Sequence, residues 1–309
     1  MMDRMYLSQK PARSEFVPIR NQRYHVRVWG TPSPGKVPLV LMHGWMDVAA
    51  SYQFVVDALA GEHFVIAPDW RGYGLTEGPV TDNYWYADYL ADLDFLLDHY
   101  SPGQPVNLVG HSMGGNVVML YAGIRPERIR RLINLEGFGM AATTPDQAPA
   151  RYAQWMDEVK SLYQGKLDMR AYDTLDGVAR RLMKTNPRLA RDDRGRHKAE
   201  WLAQHWARQT AEGTWEIRGD PAHKIINAQL YRVDEAQELF KRNTAPTLCV
   251  EASDNSLDKW HKGNYTLAEY HERMKVLPNV KIGKIEDAGH MLHHDQPEIL
   301  AKMIEDFIA

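Results

Sequence analysis

The sequence predicts an α/β fold: a mostly parallel central sheet with helices on both faces and a helical cap inserted late in the chain. Three observations lead there. Over residues 1–136, short β-rich runs alternate with patterns of helical period. About a hundred residues of helical periodicity, rich in Arg, Ala, Gln and Trp, then interrupt the alternation. Buried-strand character returns at 246–250 and again at 280–285.

Taken in order, residues 24–29 (Tyr-His-Val-Arg-Val-Trp) alternate apolar and polar, as a strand with unlike faces does. Residues 37–42, 64–67 and 106–109 are apolar runs of the length of strands buried on both faces, as parallel strands are. Helices are expected at 52–60 and 84–100, and a further strand at 129–135. Residues 297–308 read as a final amphipathic helix. The expected division is a core of residues 1–137 and 244–309 with a cap of residues 138–243. No fixed-period repeat or low-complexity tract interrupts it.

The chain has 309 residues, of which 44% are hydrophobic and 25% charged, ordinary for a globular protein. A formal charge of −3 supplies no attraction for nucleic acid or an anionic membrane. Cys249 is the single cysteine, so no internal disulfide can form. No run approaches the roughly 18 apolar residues of a membrane span. The polar first ten residues lack the apolar stretch of a secretory leader. The expectation is a cytoplasmic protein acting on a small molecule.

Chemistry is concentrated at Gly110-His111-Ser112-Met113-Gly114-Gly115, between an apolar strand and an apolar helix. A serine on a tight strand-to-helix turn is exposed as a nucleophile, and the turn tolerates only small flanking residues. The helix N-terminus points N–H groups towards developing negative charge. His43-Gly44-Trp45 follows an earlier strand, so the backbone N–H groups of Trp45 and Met113 are candidate oxyanion donors. Asp287-Ala288-Gly289-His290 follows the last strand and offers His290 as general base, with His293 and His294 as neighbouring competitors.

Together these motifs resemble the α/β-hydrolase superfamily across nearly the whole chain. Asp69-Trp70-Arg71-Gly72-Tyr73-Gly74 resembles the family's mainly structural motif after its fourth strand. His43-Gly44-Trp45-Met46-Asp47 and the segment 213–221 are similar to the serine hydrolase-like branch. The resemblance implies a serine hydrolase working through a nucleophile elbow, an oxyanion hole and a catalytic triad.

The acid of that triad departs from the family pattern. Where Gly-x-x-Asp is usual after the seventh strand, the chain reads Glu251-Ala252-Ser253-Asp254-Asn255, with Asp258 three residues beyond. An amide at 255 cannot stabilise an imidazolium by charge. Glu136, at the end of the 129–135 strand, stands where some α/β-hydrolases, including certain haloalkane dehalogenases, carry the acid. Glu136 is the expected acid and Asp254 the alternative; the test is a carboxylate oxygen within about 3.2 Å of a ring nitrogen of His290.

The expected activity is carboxylic ester hydrolysis, a carboxylesterase-like reaction with no cofactor and no metal, there being no Cys/His cluster at ligand spacing. Ser112 in place of the Asp of dehalogenases and epoxide hydrolases points to acyl chemistry. The alternatives are a C–C bond hydrolase or cofactor-free lyase on the same fold, or an enzyme-derived binding protein. Trp155 and Trp206 are candidate substrate-binding residues in a closed pocket of limited size for an apolar or aromatic group. The basic run 188–198 reads as solvated surface.

Overall fold

The computed structural model describes residues 6–309. Residues 1–5, on which the reading of the leader partly relies, and the side chains of Asp258 and Lys259 lie outside the described residues. In chain order the core opens with β1 (Arg13–Ile19), β2 (Gln22–Trp29), β3 (Leu39–Met42), α1 (Gln53–Ala58) and β4 (Val65–Pro68). It continues through α2 (Tyr86–Tyr100), β5 (Val106–His111), α3 (Met113–Ile124) and β6 (Ile129–Leu135). The inserted span holds α4 (Ala148–Tyr163), β7 (Ala171–Tyr172), α5 (Leu175–Thr185), α6 (Asp193–Trp206), β8 (Ala207–Gln209), β9 (Trp215–Ile217) and α7 (Val233–Arg242). The chain closes with β10 (Thr247–Ala252), α8 (Leu257–His261), α9 (Leu267–Met274), β11 (Val280–Ile285), α10 (Leu292–Asp295) and α11 (Pro297–Ile308).

Eight strands form one sheet in the order β1-β2-β4-β3-β5-β6-β10-β11. β1–β2 and β2–β4 are antiparallel, and the remaining pairs are parallel. Every residue of β3, β4 and β5 is buried, as a parallel sheet covered on both faces requires. The period of two is visible within β3. Leu39 and Leu41 join one apolar cluster with Val55, Val56, Leu300 and Ile304 of α1 and α11. Val40 and Met42 join the opposite cluster with Leu93, Leu96, Val117 and Val118 of α2 and α3. Truncating the fully buried Leu41 to Ala would cost about 2–5 kcal/mol on this account.

The inserted span departs from the purely helical expectation. β7, β9 and β8 make a small antiparallel sheet. Strands of two or three residues are too short to show a period in sequence. Thr174 and Asp192 cap α5 and α6 by accepting from the N–H groups of Gly177 and Gly195. Val178, Leu182 and Leu202 then pack with Val48 and Phe54 of the core. α7 lies on α3 so closely that a Cβ on Gly123 would fall 2.0 Å from the Leu239 carbonyl oxygen.

The Asp69–Gly74 motif is a hub for both layers. Arg71 forms a buried fork with Asp92 (Nε to Oδ2 2.6 Å, an Nη to Oδ1 2.7 Å), and Tyr24 donates to the same carboxylate at 2.6 Å. Gly74 N–H donates to the Arg218 carbonyl and Asp220 N–H to the Gly72 carbonyl, tying the motif to the inserted span. His223 is stacked between Tyr73 and Tyr84, with ring centroids 3.8 and 3.6 Å away. Burial pushes its pKa down from 6.5 to about 3. Among the described residues no helix is long and apolar enough to cross a membrane.

Candidate active site

β5 runs into α3 with one residue between them, Ser112, held at φ 52° and ψ −114°. A non-glycine residue in this conformation stores about 1–3 kcal/mol. The turn persists because its neighbours leave no room for anything larger. A Cβ on Gly110 would lie 2.4 Å from the Gly114 carbonyl oxygen, and one on Gly114 2.3 Å from that of Met42. Met113 begins α3, so its N–H has no intrahelical acceptor. Met113, Trp45 and Ser112 all line one large cavity between the sheet and the inserted span.

His290 lines the same cavity, and its Nδ1 lies 3.3 Å from Oε2 of Glu136. Glu136 sits just past β6 with φ 54°, which swings its carboxylate under the loop after β10. There its Oε1 accepts from Ala252 N–H at 2.8 Å. Its Oε2 accepts from Ser256 N–H at 3.3 Å and from the Ser256 hydroxyl at 3.1 Å. A buried carboxylate surrounded by donors holds the Nδ1–H tautomer of His290 and leaves Nε2 with its lone pair. The Trp260 ring covers His290 edge-on at 4.4 Å.

The two other acid positions are turned elsewhere. Asp254 is about half exposed, with its carboxylate 3.6 Å from Arg188. Asn255 accepts from Leu257 N–H at 3.2 Å, a turn bond at the start of α8. His293 and His294 are buried on α10, and His293 Nε2 faces Asp47 at 3.7 Å.

Three expectations need correcting. Trp206 does line the cavity and donates to Asp47 Oδ1 at 2.9 Å, but Trp155 on α4 is not part of the cavity wall. The cavity is not small: its volume is about 1810 Å³, above the roughly 300–1,000 Å³ of common ligand sites. Its wall carries Arg151, Arg170, Arg181 and Lys224 besides apolar groups. The run 188–198 is not simply solvated either. Arg188 donates to the Asp287 carbonyl at 3.2 Å, and Lys198 is buried with its ammonium on the His294 carbonyl at 3.1 Å. These bonds brace the loop that carries His290. They escape a sequence reading because charge density alone does not show which side of a helix meets a neighbour.

Sequence reasoning also missed His111, treated there only as part of the elbow. Its Nε2 lies 2.7 Å from the His290 carbonyl oxygen and so donates to it. Burial, then the neighbouring His293 and His290, push the His111 pKa well down, so the ring is neutral. Burial alone would raise the Asp47 carboxyl, but the adjacent His293 outweighs that and holds it below its usual value. Asp47, His111 and His293 come together although no local spacing announces them, and one donor atom of each lies within 4.8 Å of the others.

The α/β-hydrolase fold family model matches residues 37–297. The chain is 28% identical to cis-3-alkyl-4-alkyloxetan-2-one decarboxylase of Shewanella oneidensis, over 88% of this chain and 81% of that one. It is 24% identical to a serine hydrolase-like protein of Danio rerio, over 97% and 90%. A thioesterase domain from the curacin biosynthetic pathway superposes with TM-score 0.77 at 22% identity, over 96% of this chain and 99% of that chain. With a matched family model spanning β3 to β11, and with them the elbow and the His290 loop, the chain belongs to the α/β-hydrolase fold family.

Proposed function

We propose that this protein is a serine hydrolase that cleaves carboxylic esters through an acyl-enzyme. Ser112 Oγ attacks the acyl carbon while His290 Nε2 takes its proton. The oxyanion is met by the N–H groups of Trp45 and Met113. Protonated His290 then returns the proton to the leaving alcohol, and water activated by the same nitrogen releases the acid. Glu136 holds the imidazole and stabilises its charged form. The observation behind this reading is the 3.3 Å contact between His290 Nδ1 and a buried carboxylate, beside a strained serine on the same cavity.

The cavity wall argues for the substrate. Arg151, Arg181 and Lys224 line it, and among the described residues none of them enters an ion pair. An ester with an apolar or aromatic part and an anionic group further out matches that lining better than a neutral triglyceride. The Shewanella relative is named a decarboxylase, which keeps a lyase on the same fold as the alternative. A p-nitrophenyl ester discriminates: an esterase gives a burst of nitrophenol equal to enzyme, and a fluorophosphonate labels it once. Ser112→Ala must abolish both; labelling that survives the substitution defeats the assignment.

A further inference from the structure

Below the elbow lies a group of buried side chains that ester hydrolysis does not use. Asp47 Oδ1 is satisfied, accepting from the Ser51 hydroxyl and from Trp206 Nε1, but its Oδ2 has no hydrogen-bond partner. His111 spends its one N–H on the His290 carbonyl, so its Nδ1 is a lone pair, buried and unpartnered. His293 is fully buried, and neither ring nitrogen has a partner. Its ring lies 4.4 Å from that of His111, and its Nε2 3.7 Å from Asp47 Oδ2, beyond hydrogen-bond length. Each such orphan costs about 1–3 kcal/mol if left unmet. Several orphaned atoms in one place, two of them fixed acceptors, call for a cation.

We propose that Asp47, His111 and His293 form a binding site for a borderline divalent cation of the zinc type. Two imidazoles and one carboxylate are a donor set that Zn²⁺ and Co²⁺ accept, with a fourth position left for water. Tetrahedral bonds of about 2.0–2.1 Å place ligand atoms about 3.3 Å apart, so the present spread of up to 4.8 Å closes on binding. Closing that spread moves both rings, His111 against its bond to the His290 carbonyl. Asp47 and His111 belong to the floor of the large cavity, which is the route of entry. Because His111 also grips the His290 carbonyl, drawing its ring towards a metal shifts the loop that carries His290. The site is therefore inhibitory.

Cobalt titration of the full chain, stripped of metal by chelator, tests this without any turnover assay. One equivalent of Co²⁺ should bind with the visible d–d bands of a four-coordinate ion, and Zn²⁺ should bleach them. His293→Gln should weaken binding by more than the roughly 10- to 100-fold that losing an outer hydrogen-bond partner of a ligand costs, while His294→Gln should keep it. Hydrolysis of a p-nitrophenyl ester should fall with Zn²⁺ in parallel with occupancy. Should His293→Gln fail to fold, Asp47→Asn carries the same test, since it leaves an acceptor for Ser51 and Trp206. No d–d spectrum from the folded wild-type chain, or an unchanged spectrum in the variants, overturns the proposal.

Discussion

Replacing Glu136 by Gln removes one charge and almost no volume, so its effect can be worked out. Three donors converge on Oε2 (Ser256 N–H, the Ser256 hydroxyl and His290 Nδ1) and one on Oε1, from Ala252 N–H. The amide therefore places its oxygen at Oε2 and its NH₂ against Ala252 N–H. That clash of donors costs about 1–3 kcal/mol of stability. His290 keeps an acceptor, and with it the right tautomer, but loses the charge that stabilises its protonated form. At the 3.3 Å contact distance and an effective dielectric of about 20, that charge is worth about 5 kcal/mol. At about 1.4 kcal/mol per decade, kcat should drop by roughly 10³- to 10⁴-fold, within the range known for loss of a triad acid. Steady-state ester hydrolysis at fixed pH, with circular dichroism and a thermal melt as the folding control, gives the answer. Asp254→Asn, whose carboxylate is partly exposed beside Arg188, should lose about tenfold or less. A folded Glu136→Gln enzyme that keeps a tenth of its turnover, or an Asp254→Asn enzyme that loses a thousandfold, refutes the reasoning.

Asn255→Asp should leave turnover essentially unchanged, because a carboxylate accepts the Leu257 N–H bond as the amide does; a large loss would show that the amide acts in the site. His223 has a folded pKa of about 3 against an ordinary 6.5. The unfolded chain thus takes up a proton at this residue first, and stability is full above pH 6.5 and falls as the pH drops towards 3. At about pH 5 the loss is about 2 kcal/mol. His223→Phe, which keeps the stack on Tyr73 and Tyr84, should lessen the difference between urea melts at pH 8 and pH 5; an identical difference in both chains contradicts the account. An ester bearing a terminal carboxylate should show a KM roughly tenfold below its neutral isostere, the worth of one charge-assisted hydrogen bond. Arg181→Ala and added salt should narrow that gap, and a preference for the neutral ester would count against the cationic wall.

Much of this molecule is written locally in its sequence. The all-apolar runs that became β3, β4 and β5 had to be strands covered on both faces, and glycines packed around Ser112 had to mark a tight turn. The Gly-His pair after the last strand placed His290 at the cavity edge. Each of these signals is short in range and needs only the neighbours in the chain. β1 was missed, since its polar, exposed outer residues hide the alternation. The contacts that complete the candidate site span far greater separations: 154 residues from Glu136 to His290 and 179 from His111 to His290. Asp254 and Glu136 are equally good acids as residues. Only the backbone turn at Glu136, which carries its carboxylate under the Ala252 and Ser256 N–H groups, turns one towards the imidazole and leaves the other beside Arg188. The size of the cavity and its basic wall were likewise decided by how the inserted span docks on the sheet, and the meeting of Asp47 with His111 and His293 by packing among core segments far apart in the chain. Sequence carries propensity and pattern, whereas the direction of a side chain depends on packing between segments that have no register with one another until the core closes.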